Sequence, residues 1–242
     1  NGFTIAWPTD LLYKMEGGKK LFVGYVQRQV DANCSLANII RNKFPDNSQY
    51  KSRSLTSRQA IQSAYNLAWF VNYLHSIGII LGDFNENNFL YNDETGGFAL
   101  IDCGNYGLVD LYNNSVRFQC NFFMPDYMTP AKILGIEPNN PFLGDDFFLA
   151  IHIFNILTIN ANPFRTVPVT TDGGEYTIND AIANGDCAYV KKLAYRKLPT
   201  GAPAEDYFPK DIKEGFDNTF NYSKDTLITR IASRTTAKQW YD

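Results

Sequence analysis

Hydrophobic and polar residues follow two different periods along the chain, which indicates a mixed α+β fold. Two β-rich segments, residues 4–13 and 20–30, flank Gly17 and Gly18, a pair typical of a hairpin turn. Pro8 lies inside the first segment and predicts an edge or a bulge at that point, because proline lacks a backbone donor. The chain is therefore expected to begin with two antiparallel strands.

Helical periodicity follows the hairpin. Ser35 is expected to cap a short helix over residues 35–44, and Thr56 or Ser57 to cap a long one that Gly78 ends. The apolar positions of the long helix recur at helical spacing; they are Ile61, Ala64, Leu67, Ala68, Val71 and Leu74. Three β-rich runs then follow, residues 77–84, 87–92 and 96–102. They predict a small hairpin whose loops carry the polar residues.

Helices return in the second half of the chain. Residues 147–159 are mostly apolar, but His152 and Asn155 interrupt them and the run is too short to span a bilayer, so it predicts a buried helix. A shorter helix is expected up to Asn184, with Thr177 or Asn179 as its cap and Gly185 after its end. Residues 198–209 predict a surface loop, and residues 212–220 and 236–241 predict two closing helices.

Composition narrows the function classes. The 242 residues are 45% hydrophobic and 19% charged, which is typical of a folded globular protein. The net charge of −3 provides no basic surface, so a nucleic-acid partner is not expected, nor is a membrane partner. Four scattered cysteines without CxxC spacing predict neither a zinc site nor a disulfide framework. Reduced thiols and the lack of a signal-like start predict a cytoplasmic location.

Candidate chemistry is concentrated in the β-rich centre. Asp83 is followed five residues later by Asn88, and Asp102 follows the apolar run 98–101. Phosphoryl transfer needs a carboxylate that orients the acceptor hydroxyl and oxygen ligands that hold magnesium. Magnesium takes carboxylate and amide oxygens in preference to thiols or imidazoles. Asp83 fits the first requirement, and Asn88 and Asp102 fit the second.

These residues also carry a resemblance to protein kinases. LGDFNENNFL at 81–90 resembles the kinase catalytic loop, and IDCG at 101–104 resembles the D-F-G metal-binding motif. DDFFLA at 145–150 resembles the start of the large central helix of the kinase C-lobe. NPF at 162–164 and RTTAKQW at 234–240 resemble later kinase signatures. The similarity extends from Ile5 to Trp240 and is greatest to a bacterial protein-kinase-like family often joined to helix-hairpin-helix domains.

The resemblance implies an α+β, protein-kinase-like fold, with residues 1–30 as the remnant of an N-lobe and residues 31–242 as a mainly helical C-lobe. It implies an ATP- and Mg-dependent phosphotransferase of the Ser/Thr protein-kinase type in the intact protein. Asp83 would orient the acceptor hydroxyl, while Asn88 and Asp102 would hold Mg on ATP. Backbone groups of the hinge, at Gln27, Arg28 and Gln29, would bind the adenine.

Departures from the kinase pattern leave alternatives open. Leu81 and Gly82 replace the His and Arg before the catalytic Asp, and this hydrophobic-Gly-Asp order also resembles aminoglycoside and choline phosphotransferases. A protein or a small-molecule hydroxyl is therefore open as the acceptor. Asn85 replaces the usual Lys. Ala131 stands where a Glu would pair with Arg234, so Arg234 is expected to lack that partner.

The N-terminal part departs most. Only two strands precede the hinge, so the Gly-rich loop, the ATP-binding Lys and the αC Glu have no counterparts, and GGKK at 17–20 is no substitute. Truncation of the N-lobe is favoured over a chain that never clamps ATP. The alternative is a pseudokinase that binds an adjoining domain, a missing N-lobe or another partner. Exposed aromatic residues between 105 and 127 are candidates for such docking.

A simpler interpretation treats the three polar residues as loop and cap residues of an unrelated α+β protein. Asp145 is expected to be structural, holding the backbone of the catalytic loop. His75 and His152 are expected to be packed histidines. Because these are the only two histidines, a Ser-His-Asp hydrolase is poorly supported.

Overall fold

The structure, a computed structural model, describes residues 3–46, 48, 55–113, 115–118, 128–136, 140–170, 175–204 and 206–242. Cys120 and the aromatic residues between 119 and 127, which the sequence makes candidates for docking, lie outside the described residues.

The predicted N-terminal hairpin is confirmed. After a short strand β1 (Thr4–Ile5), strands β2 (Pro8–Glu16) and β3 (Lys19–Gln27) pair antiparallel. Gly17 and Gly18 form the turn between them with positive φ angles of 55° and 75°, which glycine adopts at little cost. The register shifts next to Pro8, as its missing donor predicts.

Two helices follow a short strand, β4 (Cys34–Ser35). Helix α1 (Leu36–Arg41) begins after Ser35 as predicted, but it ends three residues early because Asn42 adopts a left-handed conformation. Helix α2 (Ser57–Ser76) begins after Thr56, whose hydroxyl accepts a hydrogen bond from the Gln59 amide at 3.3 Å. All the predicted apolar positions of α2 are buried except Ile61, which is 61% exposed.

The centre of the chain is built from short strands, which are β5 (Ile79–Ile80), β6 (Phe89–Asn92), β7 (Gly97–Leu100), β8 (Gly107–Asp110) and β9 (Ser115–Phe118). The β6–β7 pair is the predicted hairpin. It forms a four-stranded sheet in the order β1-β7-β6-β4, in which β1 runs parallel to β7. Strand β5 instead pairs with β8, in the sheet β5-β8-β9.

The second half contains the elements α3 (Pro130–Ile133), α4 (Leu143–Thr158), β10 (Val167–Pro168), α5 (Ile178–Asn184), β11 (Arg196–Lys197), α6 (Lys210–Phe220), α7 (Leu227–Arg230) and α8 (Ala237–Tyr241). Helix α5 has Thr177 as its N-cap and the left-handed Gly185 after its end, as predicted. Among the described helices, none has the length and apolar character needed to cross a bilayer.

The hydrophobic core lies between the helices that follow the hairpin. Almost every side chain of α4 is buried, and α4 packs against α1, α2 and α6. Phe147, Phe154, Phe216 and Phe220 form aromatic contacts within this core. The β2–β3 hairpin is different, because all its side chains are exposed. The fold is thus a helical body that carries an uncovered two-stranded hairpin.

Candidate active site

The loop between β5 and β6 presents Asp83. Gly82 has a φ of 64°, and the Asp83 amide donates to the Leu81 carbonyl at 2.7 Å, so the chain turns sharply where the half-buried carboxylate begins. Five residues later the Asn88 amide donates to the Asn85 carbonyl at 3.0 Å. Asp83 and Asn88 therefore belong to one hydrogen-bonded loop.

The buried carboxylate of Asp145 on α4 fixes this loop. It accepts the Leu81 amide at 2.8 Å and the Gly82 amide at 3.1 Å. Its Oδ2 atom also lies 3.1 Å from Nε2 of His75, at the end of α2. The expectation that Asp145 holds the backbone of the loop is confirmed, since two of the three partners are amides just before Asp83.

The two histidines are packed, as expected from the sequence. Beyond its contact with Asp145, His75 packs against the ring of Phe142, with ring centroids 4.6 Å apart. His152 is 1% exposed, and its Nε2 lies 2.8 Å from the Phe84 carbonyl. Burial lowers the pKa of His152, which favours the neutral imidazole. His152 therefore contacts the loop directly, and His75 contacts the Asp145 carboxylate that holds it.

The β6–β7 hairpin brings Asn88 and Asp102 to the same end of the sheet. Phe89 pairs with Leu100, and the Ile101 amide donates to the Asn88 carbonyl at 2.9 Å. Asn88 precedes β6 and Asp102 follows Ile101, so the two candidate ligands flank the base of one hairpin. Asp102 adopts a left-handed conformation with φ 58°, which is uncommon for a residue other than glycine.

The side-chain oxygens of Asn88 and Asp102 are accessible to a ligand. Asp102 is exposed and Asn88 half-buried, and neither side chain forms a hydrogen bond or an ion pair with any residue that the structure describes. Magnesium usually takes one or two protein oxygens together with phosphates and waters. One amide and one carboxylate fit that number. Within the described ranges there is no group of three or more His, Cys, Asp or Glu side chains that would suit another metal.

The exposed hairpin reaches this end of the sheet. Burial, then the charges of Cys103 and Asp102, raise the pKa of Tyr25 on β3, so the phenol lies in the electrostatic range of the metal motif. The ring of Trp7 lies 6.1 Å from that of Tyr106, whose hydroxyl donates to the Ile101 carbonyl at 2.8 Å. These contacts could not be predicted from the sequence, because Tyr25 and Tyr106 look like ordinary aromatic residues of a strand and a loop.

The predicted hinge, residues 27–29, comes just after Tyr25 along the chain. Gln27, Arg28 and Gln29 are all exposed, two to four residues beyond Tyr25. Arg28 and Gln29 also line a cavity of about 220 Å³, together with the turn between β6 and β7. A role of these residues in binding adenine stays a prediction.

Arg234 has substitutes for the missing glutamate. Ala131 is buried and offers no charge, but Nη1 of Arg234 donates to the Leu143 carbonyl at 2.7 Å. The guanidinium also lies 4.9 Å from the centroid of the Phe147 ring. Burial lowers the pKa of Arg234 to about 10, while the nearby Asp146 opposes that shift.

Cys103, between the metal-motif residues Asp102 and Gly104, carries no sign of an activated thiol. Burial is the largest cause that raises its pKa, and the charge of Asp102 adds to it. A reactive cysteine needs the opposite shift. Its partly buried position agrees with its expected part as a small filler beside Asp102.

Sequence comparison finds named protein kinases among the proteins similar to the chain. No protein-family model matches the chain. Over 98% of its length, the chain is 26% identical to a protein named protein kinase YegI from Escherichia coli O157:H7, and 25% identical to the same-named protein of strain K12. Over 46% of its length it is 30% identical to the serine/threonine-protein kinase DCLK1 of Rattus norvegicus.

The resemblance to a bacterial protein-kinase-like family is confirmed. The α+β architecture is compatible with it. The chain spans about a third of the length of the YegI proteins, 35% of each. The division into lobes and the roles of the site residues remain predictions.

Proposed function

We propose that this chain is the catalytic-loop part of an ATP- and Mg²⁺-dependent phosphotransferase, and that residues 1–30 are the last strands and hinge of an N-lobe. The observation that carries the proposal is the loop of Asp83 and Asn88. Asp145 anchors this loop, and a backbone hydrogen bond joins Asn88 to Ile101, next to Asp102. An unrelated loop would have little need for a buried carboxylate that holds two successive amides.

Each residue has a separate task in this proposal. The Asp83 carboxylate accepts a hydrogen bond from the acceptor hydroxyl and aligns its oxygen with the γ-phosphorus of ATP. Asn88 and Asp102 would supply oxygens to Mg²⁺, which would neutralise the developing charge on the phosphates. The acceptor oxygen would form a bond to phosphorus as the bond to the β-phosphate oxygen breaks; the hydroxyl proton would pass to Asp83, and ADP would leave.

The uncovered hairpin supports a missing N-lobe. A lone two-stranded hairpin is marginally stable in water. Both faces of β2 and β3 carry exposed apolar side chains, among them Leu11, Tyr13, Met15, Phe22 and Val23. Further strands that supply the Gly-rich loop and the ATP-binding lysine would cover these residues and complete the phosphate site.

Phosphate transfer by the full-length protein tests the proposal. With γ-³²P-ATP and Mg²⁺, we expect Asp83→Ala to lower transfer by about 100-fold or more, the scale of a lost acid–base group. Asn87→Ala is the control, because Asn87 is an exposed residue of the same loop. Unchanged transfer by a folded Asp83→Ala protein would contradict the assignment.

Two alternatives give other results in the same assay. A pseudokinase scaffold would show neither transfer nor metal-dependent nucleotide binding. It is favoured because the sequence has no counterpart to the ATP-binding Lys or the αC Glu, and Gly82 replaces the Arg before the catalytic Asp. A small-molecule phosphotransferase would label a metabolite instead of a protein. That alternative rests on Leu81 and Gly82 before Asp83, the order also found in aminoglycoside kinases.

A further inference from the structure

A second cavity lies in the helical body, away from the candidate active site. It has a volume of about 350 Å³ and is enclosed by α1, α2, α4, the start of α6 and Trp240 of α8. None of Asp83, Asn88, Asp102 and Asp145 lines it. It is therefore a separate feature, and the proposed phosphate transfer gives it no role.

The wall of this cavity is apolar. Its floor is formed by buried side chains that include Ile39, Ala64 and Ile156, and no charged residue is among the described lining residues. Its rim carries exposed apolar side chains, each between 44% and 61% exposed; they are Ile61, Tyr65, Ile159 and Tyr207. The exposure of Ile61, which the helical pattern of the sequence placed in the core, is thus explained by its position at the mouth.

The wall contains few polar groups, and two of them bond within the protein. The hydroxyl of Tyr207 donates to the Leu157 carbonyl at 2.9 Å, and the side-chain oxygen of Asn42 accepts the Leu55 amide at 2.9 Å. The buried indole Nε1 of Trp240 has no hydrogen-bond acceptor among the described residues. Because Nε1 is closed off from solvent, the wall offers a ligand few hydrogen-bonding groups and favours apolar contact.

Size and polarity together define the ligand class. An apolar protein cavity of about 150 Å³ stays dry and binds benzene, and ordinary ligand pockets begin at about 300 Å³. The present cavity is more than twice the benzene-binding size and offers water few polar partners. We propose that it binds a neutral, mainly apolar small molecule of about two fused rings.

Titration with the fluorophore prodan, a naphthalene that carries a propionyl ketone and a dimethylamino group, tests this proposal. Prodan is neutral, matches the proposed class, and its emission shifts to the blue in an apolar site. We expect saturable binding with a blue shift. Ala64→Phe should abolish it, because the phenyl ring fills the cavity from its floor. Ala194→Phe, the same substitution at an exposed alanine outside the cavity, should leave binding unchanged.

A further variant keeps the test decisive. If Ala64→Phe fails to fold, the smaller filling variant Ala60→Leu replaces it, since Ala60 also lines the cavity. No blue shift in the wild type would overturn the proposal. A blue shift that survives cavity filling would also overturn it, because prodan would then be bound elsewhere, for example on the exposed hairpin.

Discussion

Two buried aspartates at the start of α4 each bind backbone amides of a distant segment. Asp145 fixes the catalytic loop, while its neighbour Asp146 accepts the Ala237 amide at 2.9 Å and so anchors α8. The sequence predicts a structural Asp145 through its resemblance to kinases. It gives no signal for Asp146, because the amide that Asp146 binds lies 91 residues away.

The pKa of Asp146 predicts a pH dependence of stability. Burial, the largest cause, raises it from 3.8 to about 6 in the folded protein. The folded state binds the proton of the Asp146 carboxyl more tightly than the unfolded state does. Protonation of Asp146 therefore stabilises the fold; this contribution is complete below the unfolded pKa of 3.8 and is lost as the pH rises through 6. Asp146→Asn keeps an oxygen for Ala237 but cannot titrate. Relative to the wild type, we expect the variant to gain about 2 kcal/mol of unfolding free energy between pH 4 and pH 7. Denaturant unfolding at both pH values measures this difference, and a constant difference would contradict the assigned shift.

Ile159 is a residue whose backbone conformation is expected to lower the stability of the fold. It follows α4 with a φ of 55°, a left-handed conformation that costs a residue with a Cβ about 1–2 kcal/mol. Because its side chain is exposed, we expect Ile159→Gly to raise the free energy of unfolding by about 1 kcal/mol. Ile77→Gly is the matched control, since Ile77 is an exposed isoleucine after α2 with a φ of −104°. Ile77→Gly should lower the free energy of unfolding or leave it unchanged. Equal effects at both sites would exclude backbone strain at Ile159.

At the scale of elements, the sequence predicts helices better than short strands. The N-caps Ser35, Thr56 and Thr177 and the terminal Gly185 are local signals, and each helix begins or ends where they indicate. Strands β1 and β8 contain few residues and pair with segments far along the chain. Their pairing depends on tertiary contacts that no local pattern encodes.

Gly78, between α2 and β5, fixes one of these contacts. It has a φ of 79°, and a Cβ on it would lie 2.6 Å from the Val109 carbonyl of β8. Gly78→Ala should therefore cost more than the strain of about 1 kcal/mol that a left-handed alanine carries. Gly135→Ala is the control, because Gly135 has a φ of 67° and open space around it. Thermal unfolding of both variants measures the difference, and equal costs would show that the approach to Val109 is unimportant.

At the scale of the whole molecule, the candidate site lies where the helical body meets the exposed hairpin. The resemblance predicts which residues form the loop and the metal motif, and the structure brings the base of the β6–β7 hairpin beside Tyr25 of β3. The sequence could not predict the cavity in the helical body, because its walls come from residues between 39 and 240 that meet only in the folded chain.

Magnesium-dependent binding of ATP is the most direct measurement of the central claim. Calorimetry on the full-length protein, with Mg²⁺ and with a chelator, should show ATP binding that requires the metal. Asp102→Asn should weaken it by at least about tenfold, since a charged ligand to the metal is lost. Glu94→Gln removes an exposed carboxylate at the other end of the same hairpin and should leave affinity unchanged. Equal Mg²⁺-dependent affinity in Asp102→Asn, or no binding by the full-length wild type, would contradict the account.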